Sequence, residues 1–283
     1  MLRYREHRPG PDLRPHIECL WTVWDSVARA DRTPERVLPD GCPELIVHLG
    51  DPFARLIGRR WVVQPRAFLA GTLTQPWMLR AGSRVKTVGV RFRPGATTAV
   101  FPLSMSEARD RELRLAGLVG ASSAAALIEP LRRARTDAGR FAAIEEWLTA
   151  RLSVMAPRRS TARAAVALIL KAHGRKRIDD VARALGWSRR RIERVFARDL
   201  GIRPKLFARI VRLNAVLATL DEPERTSAVD LALETGYFDQ AHLLRDFRVL
   251  AGRAPRSRRE IDGELARHFT RPERLRALLF PVD

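Results

Sequence analysis

Two short stretches of this sequence gather side chains that can make directed hydrogen bonds from one helical face. Arg189, Arg190, Glu193 and Arg194 form the first set; Asp239, Gln240, His242 and Arg245 form the second. An arginine fork can donate two bonds to the edge of a guanine, a glutamine amide can pair with adenine, and a carboxylate can accept from the amine of cytosine. The chemistry these groups offer is recognition rather than bond-making.

The elements that must position them are written twice. The first copy reads Ala182-Arg-Ala-Leu-Gly186-Trp187, then Phe196, Gly201 and Pro204; the second reads Ala232-Leu-Glu-Thr-Gly236-Tyr237, then Phe247, Gly252 and Pro255. The copies are 50 residues apart before the turn and 51 after it. A small residue lets two helices approach, a glycine turns the chain between them, and apolar positions anchor the second helix, so each copy predicts a helix-turn-helix. Ser188 is the expected N-cap of the first polar helix, with Ile192, Val195, Phe196 and Leu200 on its inner face. Pro204 is expected to open a long connecting helix with the stripe Leu206, Ile210, Leu213, Leu217 and Leu220, broken at Asp221-Glu-Pro223.

Charge is placed to match. The formal net charge is +20, and residues 158–215 hold 17 Lys and Arg against 4 Asp and Glu. Residues 1–157 hold 24 against 16, and residues 216–283 hold 11 against 12. Cations concentrated around one motif suit a polyanionic partner. The second copy lies in slightly acidic surroundings and carries Ala241 and Leu244 among its polar residues. The first copy is therefore expected to dominate affinity.

These residues resemble the AraC/XylS family of transcription regulators over about 160–260. The matching positions are Ile178, Ala182, Leu185, Gly186, Ile192, Arg194, Phe196, Gly201 and Pro204, then Ala232, Gly236, Tyr237, Leu243, Arg245, Phe247, Gly252 and Pro255. The resemblance implies two three-helix units joined by a rigid helix, with recognition helices in successive major grooves about one turn (~34 Å) apart. The DNA-contacting set is then Ser188, Arg189, Arg190, Arg191, Glu193 and Arg194 in the first unit, and Asp239, Gln240, His242 and Arg245 in the second.

The front of the chain follows another rhythm. Trp21–Trp24, Glu44–Leu49, Trp61–Val63, Phe68–Ala70 and Trp77–Leu79 are short apolar runs separated by Gly, Pro and Asp, and Val85–Pro94 alternates as one longer strand. Helices are expected from Gly95 to Phe101, after a Ser104–Glu107 capping box, and over 121–153, where Asp137 is the expected cap of a helix carrying Phe141, Ile144, Leu148 and Leu152. The segment Val37-Leu-Pro-Asp40-Gly41-Cys42-Pro-Glu44, with Val88-Gly-Val-Arg91-Phe92, is similar to the cupin-like domain found at the front of AraC-type regulators. That similarity implies a β-barrel used for effector sensing or dimerisation.

The expected fold class is thus α+β: a cupin-like β-barrel with flanking helices in residues 1–157, a linker near Ala156–Ser160, and an all-α double helix-turn-helix in residues 158–283. Asp40, Cys42, Glu44 and His48 invite a metal reading, but the six histidines are scattered, and turn-plus-strand structure is favoured. Cys42 as an acceptor of alkyl groups from damaged DNA is the alternative function; no supporting motif surrounds it, so no catalytic residue, metal ligand or cofactor is assigned. Trp21, Trp24, Trp61 and Trp77 are read either as core or as the lining of a ligand pocket. The N-terminus lacks the apolar stretch of a signal peptide, and no run approaches the roughly 20 residues that cross a bilayer. A cytoplasmic chain is expected, with double-stranded DNA as partner. A small-molecule effector, a second copy of the chain and RNA polymerase are its open partners. The tail from 261 to 283 is read as a short helix or a frayed end.

Overall fold

The computed structural model describes residues 2–25, 32–154, 162–219 and 236–252. The order of elements begins with nine strands: β1 (Leu2–His7), β2 (Ile17–Asp25), β3 (Glu35–Val37), β4 (Glu44–His48), β5 (Ala54–Ile57), β6 (Arg60–Val63), β7 (Ala67–Ala70), β8 (Trp77–Arg80) and β9 (Lys86–Phe92). A 3-10 turn (Thr97–Ala99), α1 (Met105–Ala108), β10 (Glu112–Arg114), α2 (Leu115–Val119), α3 (Ala121–Arg133) and α4 (Asp137–Val154) follow. The helical part comprises α5 (Arg163–Lys171), α6 (Ile178–Ala184), α7 (Arg189–Leu200), α8 (Pro204–Thr219) and α9 (Gln240–Ala251).

The strands form two antiparallel sheets, ordered β1-β2-β9-β4-β7-β10 and β3-β8-β5-β6; the front half is sheet-rich as expected, and among the described residues the sheets do not close into one barrel. Alternation along the strands explains the layering. On the six-stranded sheet Leu45, Val47, Val88 and Val90 point to one face, where they join Leu127, Leu131, Phe141, Ile144 and Leu148 of α3 and α4 in one apolar core. Glu44, Ile46, His48, Thr87 and Arg91 point to the other face, toward the four-stranded sheet. Gly89 pairs with Trp21 across the β2–β9 ladder, and a Cβ at 89 would overlap the indole. The missing side chain is what lets that ring lie flat over the strand.

The helical part has its own core. Val181 and Ala182 of α6, Ile192, Val195 and Phe196 of α7, Phe207, Ile210 and Leu213 of α8, and Leu243 and Phe247 of α9 are buried together. One residue from the front of the chain, Leu38, is buried in the same cluster. Pro204 is the first residue of α8, as expected, where its missing N–H costs nothing.

Two caps differ from the sequence expectation. Ser104 makes no capping bond; its hydroxyl meets Ser106 Oγ at 2.7 Å, and the helix after it is one turn long. Asp137 is already inside α4, and Thr136 Oγ1 accepts the Gly139 N–H at 3.1 Å. Asp137 is drawn away from capping by Arg140 at 3.2 Å and Arg5 at 3.4 Å. Leu220, Pro223, Ala232, Pro255, the 156–160 linker and the 261–283 tail lie outside the described residues.

Candidate nucleic-acid interface and the cavity behind it

The first polar helix is built as its sequence implies. Ser188 sits before α7 in extended backbone, and its hydroxyl accepts from Arg191 N at 3.2 Å. Gly186 makes the preceding turn at φ +63° and Gly201 ends the helix at φ +76°. Ile192, Val195, Phe196 and Leu200 are buried, whereas Arg189, Arg190, Arg191, Glu193 and Arg194 are all exposed. Arg189 is not idle: it pairs with Asp179 at 2.9 Å and Glu193 at 3.4 Å. Both pairs are solvent-exposed and worth little, so a phosphate or base edge can displace them. Arg191 stacks its guanidinium over Trp187, 4.8 Å from the ring centroid.

The second polar helix repeats the design with one addition. Asp239 occupies the N-cap of α9 and accepts from His242 N at 2.6 Å, while Gly236 and Gly252 keep positive φ, +82° and +77°. The capping residues Ser188 and Asp239 are 51 apart, but the turn glycines are 50 apart. The extra residue is Phe238, which stands 86% exposed beside the start of the helix. Gln240 and Arg245 are exposed and His242 is half-buried against Tyr237. Behind this helix Arg209 binds the buried Asp246 at 2.9 Å, tying α9 to α8. The structure thus places Ser188 and Asp239 primarily as caps and leaves the intervening arginines and the amide facing outward.

A second arrangement has no local sign in the sequence. Arg91 of β9 is fully buried and donates from all three nitrogens: Nε to Glu18 at 3.2 Å, one terminal nitrogen to Glu44 at 2.8 Å, and the other, at short range, to Asp40. Burial pushes the Glu44 carboxyl up to about 7, with the Asp40 and Glu18 charges acting the same way and Arg91 opposing them. Burial likewise raises Glu18. The acidic residues that invited a metal are therefore ligands of a guanidinium, and no metal-holding group of three is found among the described residues.

His48 is also committed. Thr87 Oγ1 lies 3.0 Å from Nδ1, and Gln64 Oε1 lies 3.2 Å from Nε2. The amide oxygen can only accept, which assigns the proton to Nε2 and the hydroxyl donation to Nδ1. Burial holds this imidazole down to about 4, so it stays neutral. Cys42 is buried, and its thiol points at Glu18 Oε2, 3.6 Å away. Burial and the neighbouring carboxylates push that thiol well above its ordinary value, Arg91 opposing them. A thiol in this setting is the opposite of an activated nucleophile, which removes the support for alkyl transfer to Cys42.

Apart from Glu18, these groups form one end of a cavity of about 60 Å³ between the two sheets. Trp21 and Trp77, with Phe53, Ile46 and Leu79, form its apolar walls. Trp24 and Trp61 do not line it; they are covered by Arg140 and Arg80, respectively.

The polar helices and their turn geometry coincide with a family match. Residues 181–261 match the model of a helix-turn-helix domain of the AraC type. The chain carries a helix-turn-helix domain of the AraC type. Residues 5–114, in front of the AraC-type part, match a domain of unknown function (DUF6597). No curated protein matches the chain. Among solved structures, ToxT from Vibrio cholerae aligns with 8% identity over 85% of this chain and 97% of that one, at a TM-score of 0.46. Wild-type ToxT of the same organism bound to an unsaturated fatty acid aligns with 10% identity over 83% and 93%, at 0.43.

Proposed function

We propose that this chain is a sequence-specific DNA-binding transcription regulator whose occupancy of DNA is set by a small effector held in the front half. The observation that carries the first part is the matched pair of capped helices, α7 and α9, in an AraC-type domain, each presenting arginine outward from a buried apolar face. Arg189, Arg190, Glu193 and Arg194, with Gln240, His242 and Arg245, are the proposed readers of base edges. Arg191 and the surrounding cations neutralise phosphates.

The effector part rests on where the cavity lies. Leu38 and Asp40 line it, yet Leu38 is also buried in the core of the helical half. Gly41, at φ +84°, lies so close to Phe207 of α8 that a Cβ would come within 2.7 Å of the ring. Thr72 Oγ1 donates to Leu200 O at 2.7 Å, at the C-terminal end of α7. A group entering the cavity pushes on the 38–42 segment, and that segment bears directly on the helices that would hold DNA. A division into residues 1–157, cupin-like and sensing or dimerising, and 158–283, DNA-binding, fits this reading. So does action in the cytoplasm, where such a regulator meets DNA and RNA polymerase.

Selection of bound sequences from random duplex DNA tests the proposal. The expected product is a pair of short motifs about 10 base pairs apart on one face of the duplex. Recovery of no motif, or of a single motif with no second half-site, would refute the paired reading.

A further inference from the structure

The cavity between the sheets is unbalanced in charge. Asp40 and Glu44 line it together with one guanidinium, which also binds Glu18, and among the described residues no other Lys or Arg lines the space. Accessibility is unequal as well: the three carboxylates keep 10%, 11% and 12% of their side chains accessible, and Arg91 keeps 1%. Of the charged groups that line the cavity, Asp40 and Glu44 are thus the more accessible, and Arg91 has each of its three nitrogens engaged with a carboxylate. His48 adds no cation, because both ring nitrogens are bonded and it is neutral. An anion entering this space would meet the Asp40 and Glu44 carboxylates beside Arg91. The walls, in contrast, are apolar and aromatic, and Trp21 and Phe53 present rings of the kind that attract a desolvated cation.

We propose that this cavity is a binding site for a small organic cation, an ammonium group on a short apolar stem, held by Asp40 and Glu44 against the Trp21 and Phe53 rings. A volume of about 60 Å³ admits roughly four to six atoms of water size, which sets the length of the stem. The cation adds a positive charge beside Asp40 and Glu44, which otherwise share Arg91 with Glu18. The proposal deepens the effector reading given above, but the binding chemistry and the regulatory consequence are separable. Glu44 is the group that responds, since it is only half ionised near neutrality. It faces Arg91 from β9, Glu18 from β2, and Asp40 and Cys42 from the segment before β4, with neutral His48 further along its own strand. A cation arriving beside it favours the ionised form and drives a proton off.

The test uses the full chain and three four-carbon probes, n-butylammonium, n-butanol and butyrate, compared by calorimetry at constant ionic strength. The expected result is that n-butylammonium binds at least ten-fold more tightly than butanol and that butyrate does not bind. Binding at pH 7, measured in two buffers of different ionisation enthalpy, should release protons. Glu44→Gln, which leaves Arg91 paired with Glu18 and Asp40, should lose ten-fold or more in affinity for the cation and lose the proton release. Equal binding of butanol, tighter binding of butyrate, or no heat with n-butylammonium up to 10 mM overturns the proposal. The proton-release measurement on the unmodified chain decides the matter even where the variant fails to fold. Operator affinity measured in parallel separates the two readings. If the cation binds without moving DNA affinity, the site stands and the regulatory role falls. If butyrate binds and moves DNA affinity, the regulatory role stands and the cation site falls.

Discussion

At the scale of single residues, the front half is governed by buried ionisable groups whose effects on stability oppose each other. Glu44 is raised to about 7 in the folded chain. Between its unfolded value and that point the native state binds more protons, so this group makes the fold less stable as pH rises through 5 to 7. His48 is lowered to about 4. There the unfolded state binds more protons, so stability is lost as pH falls from 6.5 toward 4. The two windows overlap, and their slopes largely cancel. Urea denaturation across pH 4.5–7 should therefore show little slope from this pair in the parent chain, a fall toward acid in Glu44→Gln, and a fall toward neutrality in His48→Gln. Identical profiles for all three would show that neither group titrates as described. Arg91→Met is the harsher change, since it leaves three carboxylates buried without their cation. A loss on the order of 3–5 kcal/mol is expected by denaturant titration. None of this was legible in the sequence. Glu18, Asp40, Glu44 and Arg91 come from two strands, a loop and a third strand, and only pairing of β2 with β9 and β9 with β4 brings them together. Asp40 and Glu44 were noticed because they are close in sequence to Cys42 and His48; Glu18 and Arg91 carry no local sign of their role.

At the scale of elements, the helices of the back half were readable because their stability is local. Ser188, Pro204 and the glycines at 186, 201 and 252 each act within one turn of their own position. Ser188→Ala should cost about 1 kcal/mol through the lost bond to Arg191 N, measurable by thermal unfolding, and restored by Asp at the same site. β2, β4, β6, β7 and β8 were visible as short apolar runs, and β9 by its alternation. The strands β1 (Leu2–His7), β3 (Glu35–Val37) and β5 (Ala54–Ile57) were not, since Arg and Glu interrupt them and their strand character comes from the neighbour each pairs with. The 50-to-51 offset between the copies was visible as arithmetic, but its embodiment in Phe238 needed the coordinates. An apolar ring so exposed, next to the N-terminus of α9, suits contact with a sugar or a thymine methyl if α9 reads DNA as proposed. Phe238→Ser should weaken operator binding without changing the melting temperature; unchanged binding in a filter or mobility assay would argue that the ring only fills the turn. Arg194→Ala should cost about 1–3 kcal/mol of DNA affinity, and Arg245→Ala less, because the first unit sits in the basic segment.

At the scale of the whole molecule, charge and connectivity set the behaviour. A chain of net charge +20 with its excess around α7 should bind DNA with a logarithmic salt slope steeper than about −4, as for five or more neutralised phosphates. A nearly flat dependence from 50 to 200 mM salt would contradict the electrostatic part of the argument. The two halves are also stitched together, through Thr72 on Leu200, Gly41 against Phe207 and Met105 beneath Gly201. A larger residue at 41, such as Gly41→Val, should pry the 38–42 segment from α8 and leave DNA affinity indifferent to any occupant of the cavity.

Leu38 has one more implication, for anyone who would cut the chain. Its side chain is buried in one cluster with the described helices of the back half. A back half expressed by itself would lose that cover from its apolar surface and should self-associate or melt early. A free decapeptide spanning the Leu38 turn, added in trans, is the natural stopper.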